Sequence, residues 1–362
     1  MQGRAALPPA VGRDSEVVAW QSREVPLASK VAFLRSREAH GGATGPIACR
    51  ETHMSWLFLA ADQVYKLKKP VRLPYLDFSS LRRRHAACKA ELALNRRLAP
   101  DVYRGLAPLT CQDHTLRIGG PGEIIDWLVI MRRLDEDNTL ERLLLARRMQ
   151  PWQLNPLITV LGRFYRRARR VPISPATDLE RWRRNLLGNR AVLLDPRLSL
   201  PGPLVRRIGR RQQEFLRRHA PLLQSRVERR LIVDGHGDLR PEHIWPQPPV
   251  RIIDCLEFNA DLRAVDPLDE LAFLHVECTL LGAVRQGGHI VRRVAGTMPG
   301  RFAPELFAFY VSYRATLRAR LAIAHLLEEK PRSPAKWRPL ALAYLAIADR
   351  AWRTTRTRVD NA

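Results

Sequence analysis

The sequence predicts an α+β chain of two lobes, with strands concentrated in residues 27–131 and helices in residues 132–362. Short segments rich in apolar and aromatic residues, such as MSWLFLA and VYKLKKPV, favour paired strands in the first part. In the second part apolar residues recur at intervals of three and four, as amphipathic helices require. No repeat of fixed period is visible, which excludes solenoids and propellers.

The strand-rich part is built from a few elements. Residues 1–26 are rich in Pro, Gly and charge and predict a loose leader. A short helix is expected over 27–38, and the HGGATGP loop after it lacks the GxxxxGK[ST] pattern of a phosphate loop. The two strand segments flank a polar turn at 61–63 and predict a hairpin, and a helix with apolar spacing follows over 79–98.

Further strands are expected at 106–110 and 124–131, and Met131 marks the predicted boundary between the lobes. Asn138 with Glu141 resembles a capping box and starts the helical part. The predicted helices span 152–170, 178–187, 203–225, 266–283, 304–327 and 338–353, interrupted by strands at 231–236 and 250–258. A cleft between two lobes is a common place for a ligand site.

Composition excludes several classes of protein. With 46% hydrophobic and 27% charged residues, the chain is ordinary for a globular protein. The longest apolar stretches are shorter than the ~20 residues that span a bilayer, and the N-terminus lacks a secretory core, so we expect a cytoplasmic protein without membrane contact. Its five cysteines are scattered without a CxxC pair, which argues against disulfides and zinc and for reduced, mostly buried thiols.

The chain carries a formal charge of +25, from 61 basic and 36 acidic residues. Only seven of the basic residues are lysines, and the 54 arginines are spread over the whole sequence. A coding bias toward arginine would produce this skew. The alternative is an electrostatic role that attracts phosphate-bearing ligands, acidic partners or RNA. We expect any binding of nucleic acid to be non-specific.

The most informative segment is DGHGDLRPEHIW at 234–245, followed by Asp254 in RIIDCLEF. Transfer of a γ-phosphoryl group needs one carboxylate to hold the attacking hydroxyl, a second to hold Mg²⁺, and a lysine to steady the α and β phosphates. Asp238, Asp254 and a lysine of VYKLKK supply these groups in the order typical of kinases.

The motif HGDLRPEH is similar to the protein-kinase loop H-R-D-L-K-P-E-N, and its HGD opening resembles that of aminoglycoside phosphotransferases. Together with ETHMSWLFL, ELALNRRL, IIDCLEFN and VDPLDELAFL, it resembles an uncharacterised branch of the aminoglycoside phosphotransferase-like family over residues 27–353. The resemblance implies a two-lobed protein-kinase-like fold and phosphoryl transfer from ATP with Mg²⁺. Because substrates vary within this family, it does not imply aminoglycoside chemistry.

The resemblance also implies roles for single residues. Asp238 resembles the catalytic base, His236 the residue that braces its loop, and Asp254 the metal-binding Asp. Arg240 stands at the position of the kinase lysine, where it could contact the γ-phosphate. Met131 lies at the lobe junction, where backbone groups would recognise adenine.

The ATP-binding lysine has two candidates. Lys66 and Lys68 alternate onto one face of their strand, and Lys66 fits the V-A-I-K position better, as V-Y-K. Lys69 is expected to be a solvated neighbour. Glu91, on the next predicted helix, is the expected partner of the lysine.

The sequence departs from the family at two places. His243 replaces the loop Asn that binds a second metal, and imidazole is a poorer ligand than oxygen for Mg²⁺. This replacement leaves four alternatives: a single metal ion suffices, Mn²⁺ is tolerated, His243 donates a hydrogen bond to phosphate, or the activity is reduced. The glycine-rich loop is missing as well, and Thr52 and Ser55 of ETHMSW are candidates to meet phosphate instead.

Four polar residues after Asp254 have two interpretations. Glu257, Asn259, Arg263 and Asp266 shape the acceptor end of the cleft, or an Arg263–Asp266 ion pair holds the loop. Asp269 and Glu270 are expected to be helix N-terminal charges that complement the dipole.

Two functions follow as expectations. The first is an ATP-dependent kinase acting on a hydroxyl of a small molecule, and the alternative is a nucleotide-binding pseudokinase or scaffold. Segment 301–326 contains only one acidic residue, Glu305, so a polycationic aminoglycoside is a poor acceptor. We expect a neutral or anionic acceptor.

Overall fold

The structure is a computed structural model that describes residues 25–42, 45–73, 75–300 and 302–353. It confirms the predicted α+β architecture, with an antiparallel sheet in the first part of the chain and helices in the rest. Almost all of the predicted leader lies outside the described residues. The boundary between lobes near Met131 stays a prediction.

The strands of the described residues are short outside the main sheet. In chain order they are β1 (Ala48–Glu51), β2 (Ser55–Ala60), β3 (Gln63–Lys68), β4 (Arg72–Leu73), β5 (Leu76–Asp77), β6 (Tyr103–Gln112), β7 (Thr115–Ile118), β8 (Glu123–Arg132), β9 (Val233–Asp234), β10 (Ile244–Trp245), β11 (Arg251–Ile252) and β12 (Ala264–Val265). The main sheet has the order β1-β2-β3-β8-β6-β7, and all its neighbours are antiparallel.

Helices make up most of the remainder. They are α1 (Leu27–Leu34), α2 (Leu81–Asn95), α3 (Leu140–Leu145), α4 (Asn155–Arg167), α5 (Pro175–Leu193), α6 (Gly202–Arg218), α7 (Ala220–Glu228), α8 (Ala260–Arg263), α9 (Pro267–Leu280), α10 (Val284–Ala295), α11 (Pro304–Ala324) and α12 (Pro334–Arg350). No helix in these parts of the chain combines the length and the apolarity needed to cross a membrane.

The main sheet separates two apolar layers. Leu34 and Val31 of α1 pack on one face with Leu67 of β3, and the opposite face packs on α2 through Cys88 with Val64 nearby. Because side chains alternate along a strand, the residues of β3 on the α2 side include Lys66 and Lys68. The α2 face therefore carries the charged groups of the predicted site.

The helical part has one large apolar core that α9 and α11 share. Nearly every residue of α9 is buried, including the charged residues Asp269, Glu270 and Glu277. A helix buried on all sides has no solvent-facing stripe for its charges, so each must find a partner inside the protein.

Several predicted elements differ from the structure. Segment 250–258 forms a strand only at 251–252, because Asp254 adopts a left-handed conformation with φ of 62°. The helix predicted over 203–225 is two helices, because Pro221 near the start of α7 cannot continue the hydrogen bonding of α6. α10, β1 and β7 were not predicted. The helix after Asn138 begins one residue later, with Thr139 as its N-cap.

All five cysteines are free thiols, as the sequence predicts. Four are buried, and Cys49 is partly buried. Burial raises the pKa of the Cys88 and Cys255 thiols to about 12, which keeps both protonated at neutral pH.

Candidate active site

Glu91 lies fully buried between two lysines of β3. The Lys66 ammonium is 2.7 Å from Glu91 Oε1 and the Lys68 ammonium is 2.6 Å from Oε2. Burial alone would raise the pKa of Glu91, but the two ammonium groups outweigh it and hold the pKa below its usual value. The Glu91 carboxylate is thus ionised and binds both lysines, although the sequence predicted one lysine partner.

The two lysines differ in their second partner. Lys66 Nζ lies 3.1 Å from Asp254 Oδ1, whereas Lys68 Nζ lies 2.5 Å from Glu257 Oε1. Lys68 is completely buried, while the Lys66 side chain keeps 13% of its exposure. Lys66 therefore joins Glu91 to the predicted metal-binding Asp. Lys68 links β3 to the loop that follows Asp254, through its contact with Glu257.

Lys69 is not the solvated neighbour that the sequence predicted. Its ammonium lies 2.5 Å from Glu51 Oε1 and donates to the Thr52 carbonyl at 2.7 Å. Its side chain is only 12% exposed because these contacts fold it against the β1–β2 turn.

Asp254 has its carboxylate half exposed, beside Lys66, and its backbone in the left-handed region. The Lys66 ammonium holds the pKa of Asp254 far below its usual value, so the carboxylate is ionised. Its N–H donates to the Tyr103 hydroxyl at 3.3 Å, and the next N–H, of Cys255, donates to Asn95 Oδ1 at 2.9 Å. These bonds from α2 and β6 hold a backbone conformation that costs a non-glycine residue about 1–3 kcal/mol.

His236 connects the two carboxylate-bearing loops. The Asp238 N–H donates to His236 Nδ1 at 3.3 Å, which places the ring proton on Nε2, 3.0 Å from the Ile253 carbonyl. The ring is fully buried, and burial lowers its pKa, consistent with a neutral imidazole. The sequence predicted that His236 braces this loop, and its bonds join the loop to the residue before Asp254.

Glu270 holds the same loop from α9. Its carboxylate accepts from the His236 N–H at 3.0 Å and from the Gly237 N–H at 2.5 Å, and Tyr165 donates its hydroxyl at 2.8 Å. Gly237 has φ of 86°, and a Cβ there would lie 2.9 Å from the Leu256 side chain, so glycine is required. Glu270 was predicted only as a dipole charge. The buried character of α9 is the signal that could have shown it needs a specific partner.

Asp238, His243 and Asp254 form a group that fits a divalent metal. Each offers a ligand atom, and these atoms lie within 4.8 Å of one another. His243 Nδ1 is 3.0 Å from the Asp238 carbonyl oxygen, so Nδ1 carries the proton and Nε2 turns its lone pair toward Asp254 Oδ2, 3.6 Å away. A ligand imidazole commonly donates its second nitrogen to a carbonyl in this way. Two carboxylates and an imidazole suit Mn²⁺ at least as well as Mg²⁺.

This orientation bears on the alternatives for His243. In the neutral ring with Nδ1 protonated, Nε2 has no proton to donate to a phosphate. The ligand interpretation is therefore favoured over the phosphate hydrogen bond.

Arg240 lies beside Asp238. One guanidinium nitrogen is 2.5 Å from Glu242 Oε1 and another is 3.9 Å from Asp238 Oδ2. Its Nε is buried and has no hydrogen-bond partner among the described residues.

Three further residues were predicted as ligands: Thr52, Ser55 and Met131. The Thr52 hydroxyl is bonded within its own turn, to the Ser55 carbonyl at 3.0 Å and from the Ser55 N–H at 2.9 Å. Ser55 is buried opposite Lys68 in the sheet. Met131 packs at the end of β8 in the apolar cluster that also contains Val64 and Ile253. Their roles toward phosphate and adenine stay predictions.

The predicted Arg263–Asp266 ion pair is wrong. Arg263 donates to Asp234 Oδ1 at 2.8 Å and to the Leu256 carbonyl at 2.7 Å. Asp266 instead pairs with Arg226, 2.6 Å away. Arg263 thus fastens the loop after Asp254 to β9, so the loop is held by a different acid than expected.

The chain is similar to uncharacterized proteins of Mycobacterium bovis and Mycobacterium tuberculosis. It is 33% identical to each over 319 residues, which cover 86% of this chain and 61% of theirs. The chain therefore spans less than two thirds of the length of these relatives. No protein-family model matches it.

Two solved structures are similar to this chain. A choline/ethanolamine kinase family protein from Mesorhizobium loti has a TM-score of 0.53 at 16% identity, over 90% of this chain and 94% of that one. An ethanolamine kinase of Plasmodium vivax has a TM-score of 0.47 at 11% identity, over 83% and 81%. With its antiparallel sheet and helical remainder, the chain has the two-lobed protein-kinase-like fold of the first of these structures.

Proposed function

We propose that this chain is an ATP-dependent phosphotransferase that moves the γ-phosphoryl group to a hydroxyl of a small molecule. The observation that carries the proposal is the chain of contacts from Glu91 through Lys66 to Asp254, with Asp238 and His243 alongside. These contacts bring together an ammonium group, two carboxylates and an imidazole, and phosphoryl transfer uses a cation, a metal-binding carboxylate and a carboxylate that orients the acceptor.

Lys66 is the residue we assign to the nucleotide phosphates. Glu91 fixes its ammonium from the buried side, and its side chain stays partly exposed toward Asp254. A phosphate oxygen can approach from that side without displacing Glu91. Lys68 has no such opening, and we assign it a positioning role through Glu91 and Glu257.

Asp254 and His243 would hold the metal ion, Mg²⁺ or Mn²⁺. When bound, the ion neutralises charge that develops on the phosphate oxygens. The Lys66 ammonium keeps Asp254 ionised for this purpose. His243 keeps Nε2 unprotonated by donating Nδ1–H to the Asp238 carbonyl.

Asp238 would accept the proton of the acceptor hydroxyl and orient its oxygen toward the γ-phosphorus. Its position depends on His236, whose Nδ1 accepts its N–H, and on Glu270, which holds the two preceding residues. We assign Arg240 to a phosphate oxygen beside Asp238, because one of its guanidinium nitrogens lies 3.9 Å from Asp238 Oδ2.

The acidic residues of α9 favour a neutral or anionic acceptor. Asp269 pairs with Arg314 at 2.5 Å, and Glu277 pairs with Arg318 at 2.8 Å and accepts from Tyr344 at 2.9 Å. Glu270 is occupied by backbone amides. No carboxylate of α9 is left to bind a polycation.

The test measures ATP consumption with Mg²⁺ and with Mn²⁺ over a panel of sugars, nucleosides, phosphorylated metabolites and aminoglycosides at fixed ionic strength. We expect saturable, metal-dependent turnover with a neutral or anionic hydroxyl compound, and its loss in Asp254→Asn. Nucleotide binding without turnover on the whole panel would instead mark a scaffold. Saturable phosphorylation of an aminoglycoside would overturn the assignment of the acceptor.

A further inference from the structure

A second group of potential metal ligands lies outside the candidate active site. His53 belongs to the turn between β1 and β2, and His325 and Glu328 lie just after α11. Their ligand atoms lie within 4.8 Å of one another, and the two imidazole rings stack with centroids 5.0 Å apart. The group joins two segments that are far apart in the sequence.

We propose that His53, His325 and Glu328 form a site for a divalent transition metal that clamps the β1–β2 turn to the end of α11. Two imidazoles and one carboxylate are a donor set that Zn²⁺ uses in sites with a free fourth position. Co²⁺ and Ni²⁺ suit the same donors. Hard cations such as Mg²⁺ prefer an all-oxygen environment and are not expected here.

The ring of His325 is held in place before any metal binds. The Trp337 ring stacks on it with centroids 4.1 Å apart, and Trp337 Nε1 donates to the Arg332 carbonyl at 2.7 Å. Glu328 Oε1 is 2.6 Å from His325 Nδ1. Two of the three ligands are therefore already in contact.

The turn that carries His53 is ordered independently. Lys69 donates to the Thr52 carbonyl and pairs with Glu51, and the other oxygen of Glu51 is 2.7 Å from Arg332. This last ion pair joins the two ligand-bearing segments. Binding a metal thus requires little reorganisation of the backbone, which favours affinity.

The surroundings can accept a cation although the chain is strongly basic. A cavity of about 380 Å³ adjoins the group, lined by Thr52, His53, Lys69, Glu328, Glu329, Lys330 and Arg332. Three carboxylates, of Glu51, Glu328 and Glu329, stand against three cations, of Lys69, Lys330 and Arg332. The nearby positive charge is therefore locally balanced.

The experiment titrates Zn²⁺ by calorimetry, and Co²⁺ by visible absorption, into the full chain carrying Asp238→Ala and Asp254→Ala. This background removes both carboxylates of the active-site group, so the result does not depend on the proposed phosphotransferase activity. We expect one equivalent of bound metal, and at least tenfold weaker binding after adding His53→Ala or, separately, Glu328→Gln. His85→Ala is the matched control, because His85 also stacks on a tryptophan, with centroids 3.9 Å apart, and should leave binding unchanged.

The outcomes separate clearly. Absence of saturable binding, or binding that persists in both variants, would overturn the site. Binding lost in Glu328→Gln but unchanged in His53→Ala would overturn the clamp, because the metal would then sit on the α11 end alone. A thermal unfolding curve for His53→Ala that matches the background shows that a lost signal is not misfolding.

Discussion

The carboxylate of Glu270 accepts a hydrogen bond from the backbone N–H of His236, with its two oxygens 3.0 and 3.1 Å away. This bond links the start of a buried helix to the loop that presents Asp238. The shape of the loop therefore depends on a residue that does not belong to the candidate metal-binding group.

Replacing Glu270 should destabilise the protein. Glu270→Ala leaves two backbone N–H groups and the Tyr165 hydroxyl without an acceptor, and we expect a loss of about 3–5 kcal/mol in the free energy of unfolding. Glu270→Gln keeps one acceptor oxygen and should lose about 1–2 kcal/mol. Urea unfolding measures both, and Glu305→Gln, on an exposed helix position, is the control. Equal stability of all three variants would contradict the role of Glu270.

Replacing Asp238 should remove turnover and spare nucleotide binding. Loss of a general base typically costs about 10²–10⁴ in rate, so Asp238→Asn should lower kcat by this factor. Its affinity for ATP should stay within a few-fold, because Asp238 does not contact Lys66. The matched control is Asp113→Asn, in the exposed turn between β6 and β7. Unchanged, metal-dependent turnover in Asp238→Asn would show that another group orients the acceptor.

The two lysines of β3 should separate into different phenotypes. Lys68→Met leaves the Glu257 carboxylate and one oxygen of Glu91 buried without a partner. We expect the free energy of unfolding to fall by about 3–5 kcal/mol. Lys66→Met should lose less stability, since Glu91 keeps Lys68 and Asp254 is half exposed, but nucleotide affinity should fall at least tenfold. Urea unfolding and calorimetry with ATP test this, and Lys89→Met on the exposed side of α2 is the control. The reverse pattern would reassign the ATP contact to Lys68.

Acid should destabilise the protein through His275. Burial lowers the pKa of His275 from 6.5 to about 4, so the unfolded chain takes up its proton first as the pH falls. The neutral imidazole contributes stability above pH 6.5, and up to roughly 3 kcal/mol of it is lost between pH 6.5 and 4. In His275→Phe this part of the pH dependence should disappear. Parallel stability profiles of the variant and the unchanged protein over this range would contradict the assignment.

The pairing of Lys66 with Glu91 could be predicted from the sequence, because a strand puts alternate residues on one face and a helix was expected next. The metal-binding role of Asp254 stays a prediction, and most of the strand predicted around it is a loop. Its left-handed backbone depends on Asn95 and Tyr103, distant residues that no local pattern reveals.

Long-range contacts account for most of what the sequence could not predict. Lys68 shares Glu91 because β3 and α2 pack closely, and Arg263 selects Asp234 over the nearby Asp266 because β12 pairs with β9. The strand β1 was missed because it lies at the edge of the sheet and is mostly exposed, so it lacks an apolar pattern.

The left-handed backbone of Asp254 imposes a trade-off between durability and activity. Glycine adopts this conformation without a steric penalty, so Asp254→Gly would relax the backbone at this position. It would not supply the carboxylate that pairs with Lys66. Selection for heat resistance alone would therefore push position 254 away from aspartate, and an engineering campaign that screens only for melting temperature should keep this codon fixed.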